Sequence, residues 1–179
     1  YKVLQGEVTL PGDGRAVTTW AMFTPEEGEL WQKAPEYLHD ATYYYSLWNG
    51  DYPYNQVTAV DGTISAGGGM EYPNVTVIGR SGSDSGLETV IVHEVGHNWF
   101  YGILGSNERE NAWMDEGINS FNETRYLVTK YGEDKDISLL LGGEGNLAKR
   151  LELDDFQYKW IDELSYLVPA RFGADQPIQ

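Results

Sequence analysis

Ser85-Gly86-Leu87-Glu88-Thr89-Val90-Ile91-Val92-His93-Glu94-Val95-Gly96-His97-Asn98-Trp99-Phe100-Tyr101 is the stretch that decides the fold. Val90, Ile91, Val92 and Val95 are β-branched, fit a helix poorly on propensity and keep a strand in contention. The start argues for a helix. Ser85 with Glu88 three residues on matches a capping box, so the spacing predicts a helix over about 86–101 with Ser85 as N-cap. The consequence is chemical. His93 and His97 are two of only three histidines in the chain, and positions four apart share a helix face. Both imidazoles can then reach one ion, with Glu94 beside them.

Two histidines at this spacing with an intervening glutamate make the hydrolytic zinc pattern. Shuffling the composition yields the pattern about 0.004 times per chain, so chance is a poor explanation. Catalytic zinc takes three protein ligands and keeps a fourth position for water. Glu116, in Trp113-Met114-Asp115-Glu116-Gly117, is the candidate third ligand. Eighteen residues separate it from His97, enough for one helix to end and another to begin. Asp115 is the rival, its side chain pointing about 100° away on a helix. Asn111 reads as the cap of that second helix, which runs to about Tyr131 and stops at Gly132. Glu123 lies seven residues after Glu116 on the same face and could receive an N–H from a zinc-bound imidazole. A plain helical glutamate is the equal alternative.

Upstream, residues 2–10 and 17–23 read as strands joined by the turn Pro11-Gly12-Asp13-Gly14. Thr24-Pro25-Glu26-Glu27 reads as a helix start with Thr24 as N-cap. A helix then covers much of 29–48, disturbed by Pro35 and stopped by Asn49-Gly50. Residues 56–60 and 75–78 are short strands, and 63–69 are small and glycine-rich. Beyond 133, apolar positions from Leu139 to Leu164 suggest further helices in a loose pattern. His39 reads as a surface or packed histidine, and Tyr43-Tyr44-Tyr45 as core and domain interface rather than a substrate box.

Composition excludes several function classes. Twelve basic against 28 acidic side chains give a net charge of −16 in 179 residues. A nucleic-acid binder or a polybasic membrane anchor needs clustered cations. A content of 41% hydrophobic and 13% aromatic residues excludes a disordered acidic tail. With no cysteine, thiol nucleophiles and Cys-type zinc sites are excluded. No apolar run is long enough for a transmembrane segment. The chain opens on Tyr1-Lys2-Val3-Leu4 and closes on Asp175-Gln176-Pro177-Ile178-Gln179, which reads as a piece of something longer.

From about 17 to 132 the sequence resembles the gluzincin zinc aminopeptidases of the aminopeptidase N group. The resemblance rests on His93-Glu94-Val95-Gly96-His97, Asn98-Trp99-Phe100, the eighteen-residue gap and Trp113-Met114-Asp115-Glu116-Gly117. It also rests on Gly68-Gly69-Met70-Glu71-Tyr72 upstream. The family's exopeptidase motif there is Gly-x-Met-Glu-Asn, and Tyr72 stands where the family has Asn. The resemblance implies an α+β, thermolysin-like zinc metallopeptidase catalytic domain. Its N-terminal mixed β-sheet has one strand edging the cleft and is followed by helices carrying the metal site. One Zn2+ per chain would be held by His93, His97 and Glu116, with Glu94 as general base. The partner implied is a peptide with a free N-terminus, its α-ammonium paired with Glu71. Its backbone would add as a strand along Gly68, Gly69 and Met70, where glycines let a ligand approach closely.

The family's oxyanion-stabilising Tyr sits further downstream than this chain reaches, and neither Tyr158 nor Tyr166 has matching surroundings. The expectation is therefore a catalytic domain over 16–179, cut short at its C-terminus, with 1–15 the tail of a preceding β domain or a linker. Further domains belong to the parent chain. Losing an oxyanion donor costs about 10²–10³ in rate, so the isolated chain would hydrolyse poorly. Two rivals stay open. A thermolysin-like endopeptidase would make Glu71 irrelevant, and a non-catalytic peptide-binding module would have no use for Glu94.

Overall fold

The computed structural model describes residues 1–64, 68–133 and 160–174. The apolar positions from Leu139 to Phe156, Tyr158 and Gly67 lie outside them. Two compact units divide the chain, Tyr1–Glu123 and Thr124–Gln179.

The first unit is built on a five-stranded mixed sheet. Its strands are β1 (Lys2–Thr9), β2 (Ala16–Phe23), β3 (Gln56–Asp61), β4 (Gly69–Met70) and β5 (Val75–Ile78), in the order β1-β2-β3-β5-β4. β1 and β2 form an antiparallel hairpin from Lys2↔Phe23 to Thr9↔Ala16. Residues 1–15, read from sequence as a domain tail or linker, thus contribute the sheet's edge strand. β2, β3 and β5 are parallel neighbours, and β4 runs antiparallel to β5. β2 shows why the sheet forms. Val17, Thr19, Ala21 and Phe23 alternate inward and are buried, the period-two pattern of a sheet with one face on a core.

That core is supplied by α1 (Ala34–Asn49) and α2 (Asp84–Gly96). Along α1, Ala34, Tyr37, Leu38, Ala41, Thr42 and Tyr45 are buried at helical spacing. Its start differs from the single helix expected over 29–48. Thr24 makes no side-chain cap; its hydroxyl donates to Asp61 Oδ2 instead. Pro25–Glu27 and Leu30–Lys33 are separate 3₁₀ turns, and α1 proper begins with Pro35 in its first turn. A proline there gives up no intrahelical hydrogen bond, so it opens the helix rather than disturbing it. Trp31 in the second turn is fully buried and stacks on Phe23 at 5.8 Å. Gly50, at φ 95°, closes α1 with its N–H on Ser46 O.

Of the tyrosine run, Tyr45 is buried against Trp99, with ring centroids 5.5 Å apart, while Tyr43 and Tyr44 are half-buried. His39 stays near the surface, its Nδ1 2.9 Å from Asp40 Oδ1 and its ring stacked on Tyr43. α3 (Ile118–Tyr131) ends at Gly132, φ 85°. In the second unit, α4 (Ile161–Arg171) carries Pro169, and its Tyr166 and Leu167 are exposed. No helix among the described residues is long and apolar enough to cross a membrane.

Candidate metal centre and active site

α2 is a helix in spite of its β-branched run because that run faces the core. Leu87, Ile91, Val92 and Val95 are fully buried, and burial outweighs the few tenths of a kcal/mol at issue in propensity. The cap is Ser83, two residues earlier than expected; its Oγ accepts from Gly86 N at 3.1 Å. Ser85 does not cap. The helix also ends early. His97 is its C-cap, and Asn98–Ile103 wind into a wider turn closed by Gly102 N→His97 O at 2.9 Å. Phe100 and Tyr101 leave helical geometry, Tyr101 with φ 104°. This bend carries the Phe100 carbonyl to 3.2 Å from His97 Nδ1. Asn98 and Trp99 tie the bend down. Asn98 Oδ1 accepts from Asn74 N at 2.8 Å, and Trp99 Nε1 donates to Gly50 O at 2.8 Å.

Three donor atoms converge where α2 meets the start of α3. His93 Nε2 lies 3.1 Å from His97 Nε2 and 3.2 Å from Glu116 Oε2, and His97 Nε2 lies 3.7 Å from Glu116 Oε2. Zinc binds such ligands at about 2.0–2.1 Å, and a tetrahedron of that radius has edges of about 3.3–3.4 Å. The triangle has the size and donor chemistry of a zinc face. The outer ring nitrogens are held by acceptors. His93 Nδ1 is 2.9 Å from Glu123 Oε2, and His97 Nδ1 is 2.5 Å from Asp115 Oδ1. A proton on each Nδ1 leaves each Nε2 lone pair facing the triangle's centre.

Asp115 and Glu116 do not stand as on a regular helix. Trp113–Gly117 form a wide turn before α3, so Asp115 faces the outer side of His97 while Glu116 faces the inner side of both imidazoles. Asp115, weighed from sequence as a rival to Glu116, instead meets the outer nitrogen of His97. Asn119 was missed altogether. Its Nδ2 donates to His93 O at 2.7 Å, stitching α3 to α2. Asp115→Asn is expected to weaken zinc binding by about 10- to 100-fold while leaving the far-UV spectrum unchanged; competition with a chromophoric chelator measures it.

Glu94 does not join the triangle. It is 6% exposed, and its Oε2 meets no hydrogen-bond donor among the described residues. Burial pushes its carboxyl up to about 7, against the opposing pull of His93. Burial would lower His93, but hydrogen bonds to Glu116 and Glu123 raise it to about 10, and the same contact with His93 lowers Glu116.

Across from α2 lies β4, the last strand of the sheet. A Cβ on Gly69 would fall 2.3 Å from Glu94 Oε1, so the strand lies directly over the Glu94 carboxylate because residue 69 has no side chain. A cavity of about 450 Å³ lies between them. Gly68, Gly69, Met70 and Glu71 line one side, and His93, Glu94, His97, Glu116 and Glu123 the other, with Thr89 and Val90. Nothing in the sequence marked these last two as site residues. Every expected site residue borders this one cavity. Tyr72, standing where the resembled motif has Asn, is exposed.

The chain is 35% identical over 110 residues to leukotriene A-4 hydrolase of Xenopus laevis, a match covering 60% of this chain and 17% of that protein. It is 32% identical over 111 residues to leucine aminopeptidase 2 of Emericella nidulans, with the same two coverages. Among solved structures, it resembles an aminopeptidase A of Legionella pneumophila crystallised with aspartic acid. The TM-score there is 0.61 at 17% identity, over 80% of this chain and 18% of that one. A two-domain M1 zinc metallopeptidase gives a TM-score of 0.50 at 17% identity, over 84% of this chain and 33% of that one. No protein-family model matches the chain. The fold is that of the zinc metallopeptidases, a mixed sheet backed by helices. In sequence the chain is similar, over part of its length, to proteins named as aminopeptidases and as leukotriene A-4 hydrolase. It spans about 17% of the length of the first two curated relatives.

Proposed function

We propose that this chain carries the catalytic centre of a zinc aminopeptidase that removes N-terminal residues from peptides. The observation that carries the reading is the triangle of His93, His97 and Glu116 with an uncoordinated, buried carboxylate, Glu94, at its side. A zinc ion held there would supply Lewis acidity, polarising the scissile carbonyl and acidifying a water. The remaining work belongs to the chain. Glu94 takes the water's proton and delivers it to the leaving amine. Glu123 and Asp115 keep the imidazoles turned toward the metal. β4 offers its outer edge to the substrate backbone as an added strand, and Glu71 beside it pairs with the substrate's α-ammonium group. That pairing sets the cut one residue from the end, which favours an exopeptidase over an endopeptidase.

The test is hydrolysis of a short peptide and of its N-acetylated counterpart by the full-length protein with one zinc bound per chain. The free peptide is expected to be cut at its first bond and the acetylated one to be spared. A chelator should abolish cleavage, and added zinc restore it. Equal cleavage of both peptides would make the protein an endopeptidase. Tight peptide binding with no cleavage would make it a binding module.

A further inference from the structure

Asn98, the residue after the second histidine, reaches from the end of α2 to the substrate side of the cavity. Its side chain is buried and bonded at both ends. Nδ2 donates to Val95 O at 2.9 Å, closing the last turn of α2. Oδ1 accepts from the backbone N–H of Asn74 at 2.8 Å, 24 residues away in sequence. Asn74 ends the turn that joins β4 to β5, and Glu71 lies in that turn. β4 is two residues long, stands at the edge of the sheet and pairs with β5 through Gly69↔Ile78 and Met70↔Val77. Tyr72 O accepts from Val75 N at 3.0 Å, and Met70 O from Thr76 Oγ1 at 3.1 Å. These bonds stay inside the hairpin, and a two-stranded hairpin is marginal by itself. Asn74 fixes the turn to its surroundings. It has φ 53°, a left-handed conformation that asparagine tolerates. Its carbonyl accepts from Thr58 N on β3 at 3.0 Å, and its N–H goes to Asn98.

We propose that Asn98 is a positioning residue for the substrate's amino end: it ties the turn carrying Glu71 to the backbone carrying His97, and so sets the distance between amine recognition and the metal. The inference rests on the aminopeptidase reading above and adds a residue that touches neither zinc nor substrate.

An exopeptidase needs that distance fixed. Its cut falls at a set interval from the amine, and a misplacement of about 1 Å costs about 10²-fold in rate. The two ends of the interval stand on different elements, Glu71 on the hairpin and His97 on α2. Asn98 follows His97 directly, and Asn74 follows Glu71 by three residues, so one side-chain hydrogen bond links the two places. Asn74 is half-buried. Deprived of Asn98, its N–H would be left unpaired, and a small outward shift of the turn would bring it to water. That shift carries Glu71 with it. The bend after His97 would stay closed, because Trp99 Nε1 still donates to Gly50 O and Gly102 N to His97 O. The tie needs only an acceptor, whereas capping α2 needs the Nδ2 donor. Aspartate keeps the first and loses the second; leucine loses both.

The experiment uses the zinc-loaded full-length protein in a Glu94→Gln background, so that binding is read without turnover. Calorimetry compares trialanine with N-acetyltrialanine. Asn98→Leu should weaken trialanine about tenfold, as expected for losing one hydrogen bond to a charged group, leave the acetylated peptide unchanged and keep zinc at one per chain. Asn98→Asp should bind trialanine nearly as the parent does. Trp99→Phe, which removes the other tie of the bend, should lower Tm and keep the preference for the free amine. If Asn98→Leu does not fold, Asn98→Ala, which leaves room for a water, is read in the same way. Equal weakening of both peptides, or of neither, overturns the proposal. So do a loss of zinc, an aspartate variant that behaves like the leucine one, and a Trp99→Phe variant that loses the same preference. Glu71→Gln separates this inference from the reading beneath it. If Glu71→Gln weakens trialanine and Asn98→Leu does not, only the positioning role fails. If Glu71→Gln has no effect, amine recognition by Glu71 fails first and the proposal falls with it.

Discussion

Glu94→Gln in the full-length protein is expected to keep one zinc per chain and to lose peptide hydrolysis by about 10²–10⁴-fold, the range of a general base. The argument starts from what Glu94 does not do. Its oxygens are absent from the triangle formed by His93, His97 and Glu116, so the substitution removes no ligand. Gln has the same length and shape, and the close passage of Gly69 over the carboxylate is preserved. What disappears is the ability to accept a proton and return it. The expected signature is a fall in kcat with little change in KM, since the lost contribution belongs to the transition state. Zinc content by atomic absorption and peptide affinity by calorimetry should match the parent. Turnover persisting at the parent's rate in a variant that still holds zinc would remove Glu94 from the mechanism. A variant that loses zinc would instead make it part of the metal site.

The legibility of this chain differs sharply between its parts. The His pair was readable because four residues is the spacing of one helix face, a property that survives any detail of the packing. β2 and β3 were readable for the same kind of reason, because alternation and β-branching are local. Three features were not. Ser83 rather than Ser85 caps α2, and two serines that near to a helix start cannot be ranked without the backbone. The departure at Phe100 and Tyr101 has no marker in the sequence. It is held by Asn98 and Trp99 bonding to Asn74 and Gly50, residues distant in sequence. Glu116 was preferred to Asp115 from sequence, but the contact of Asp115 with His97 Nδ1 was not foreseen because a regular helix was assumed. The wide turn Trp113–Gly117 changes the angle between neighbours, and with it which side of His97 each acid meets. Glu123 was found from the seven-residue interval because α3 is regular by then.

Gly96→Ala is the substitution expected to damage the protein most among the glycines flanking the metal. In an exposed helix, replacing Gly by Ala stabilises by about 0.5–1 kcal/mol, and Gly96 sits at the last position of α2 with no positive φ to forbid a side chain. The sign is reversed by the neighbours. A Cβ there would lie 2.0 Å from Asn119 Oδ1 and 2.5 Å from Tyr45 Cε1, and both residues are fully buried. Neither can give way cheaply. Asn119 is tied to His93 O at 2.7 Å, and the Tyr45 ring packs against Trp99 and Phe100. Overpacking at such a site costs about 3 kcal/mol, which lowers Tm by about 6–12 °C in a chain of this size. The strain should relax by pushing the start of α3 off α2, with Glu116 in the turn just before α3 and Glu123 on it. Zinc affinity is therefore expected to fall together with stability, by about tenfold or more. Gly117→Ala supplies the contrast, since its Cβ would meet only Trp113 Cβ, at 3.7 Å. That variant should melt near the parent and hold zinc as tightly. If calorimetry shows both variants unchanged, the close approach of Asn119 to Gly96 is not what sets the distance between the segments that carry the His pair and Glu116.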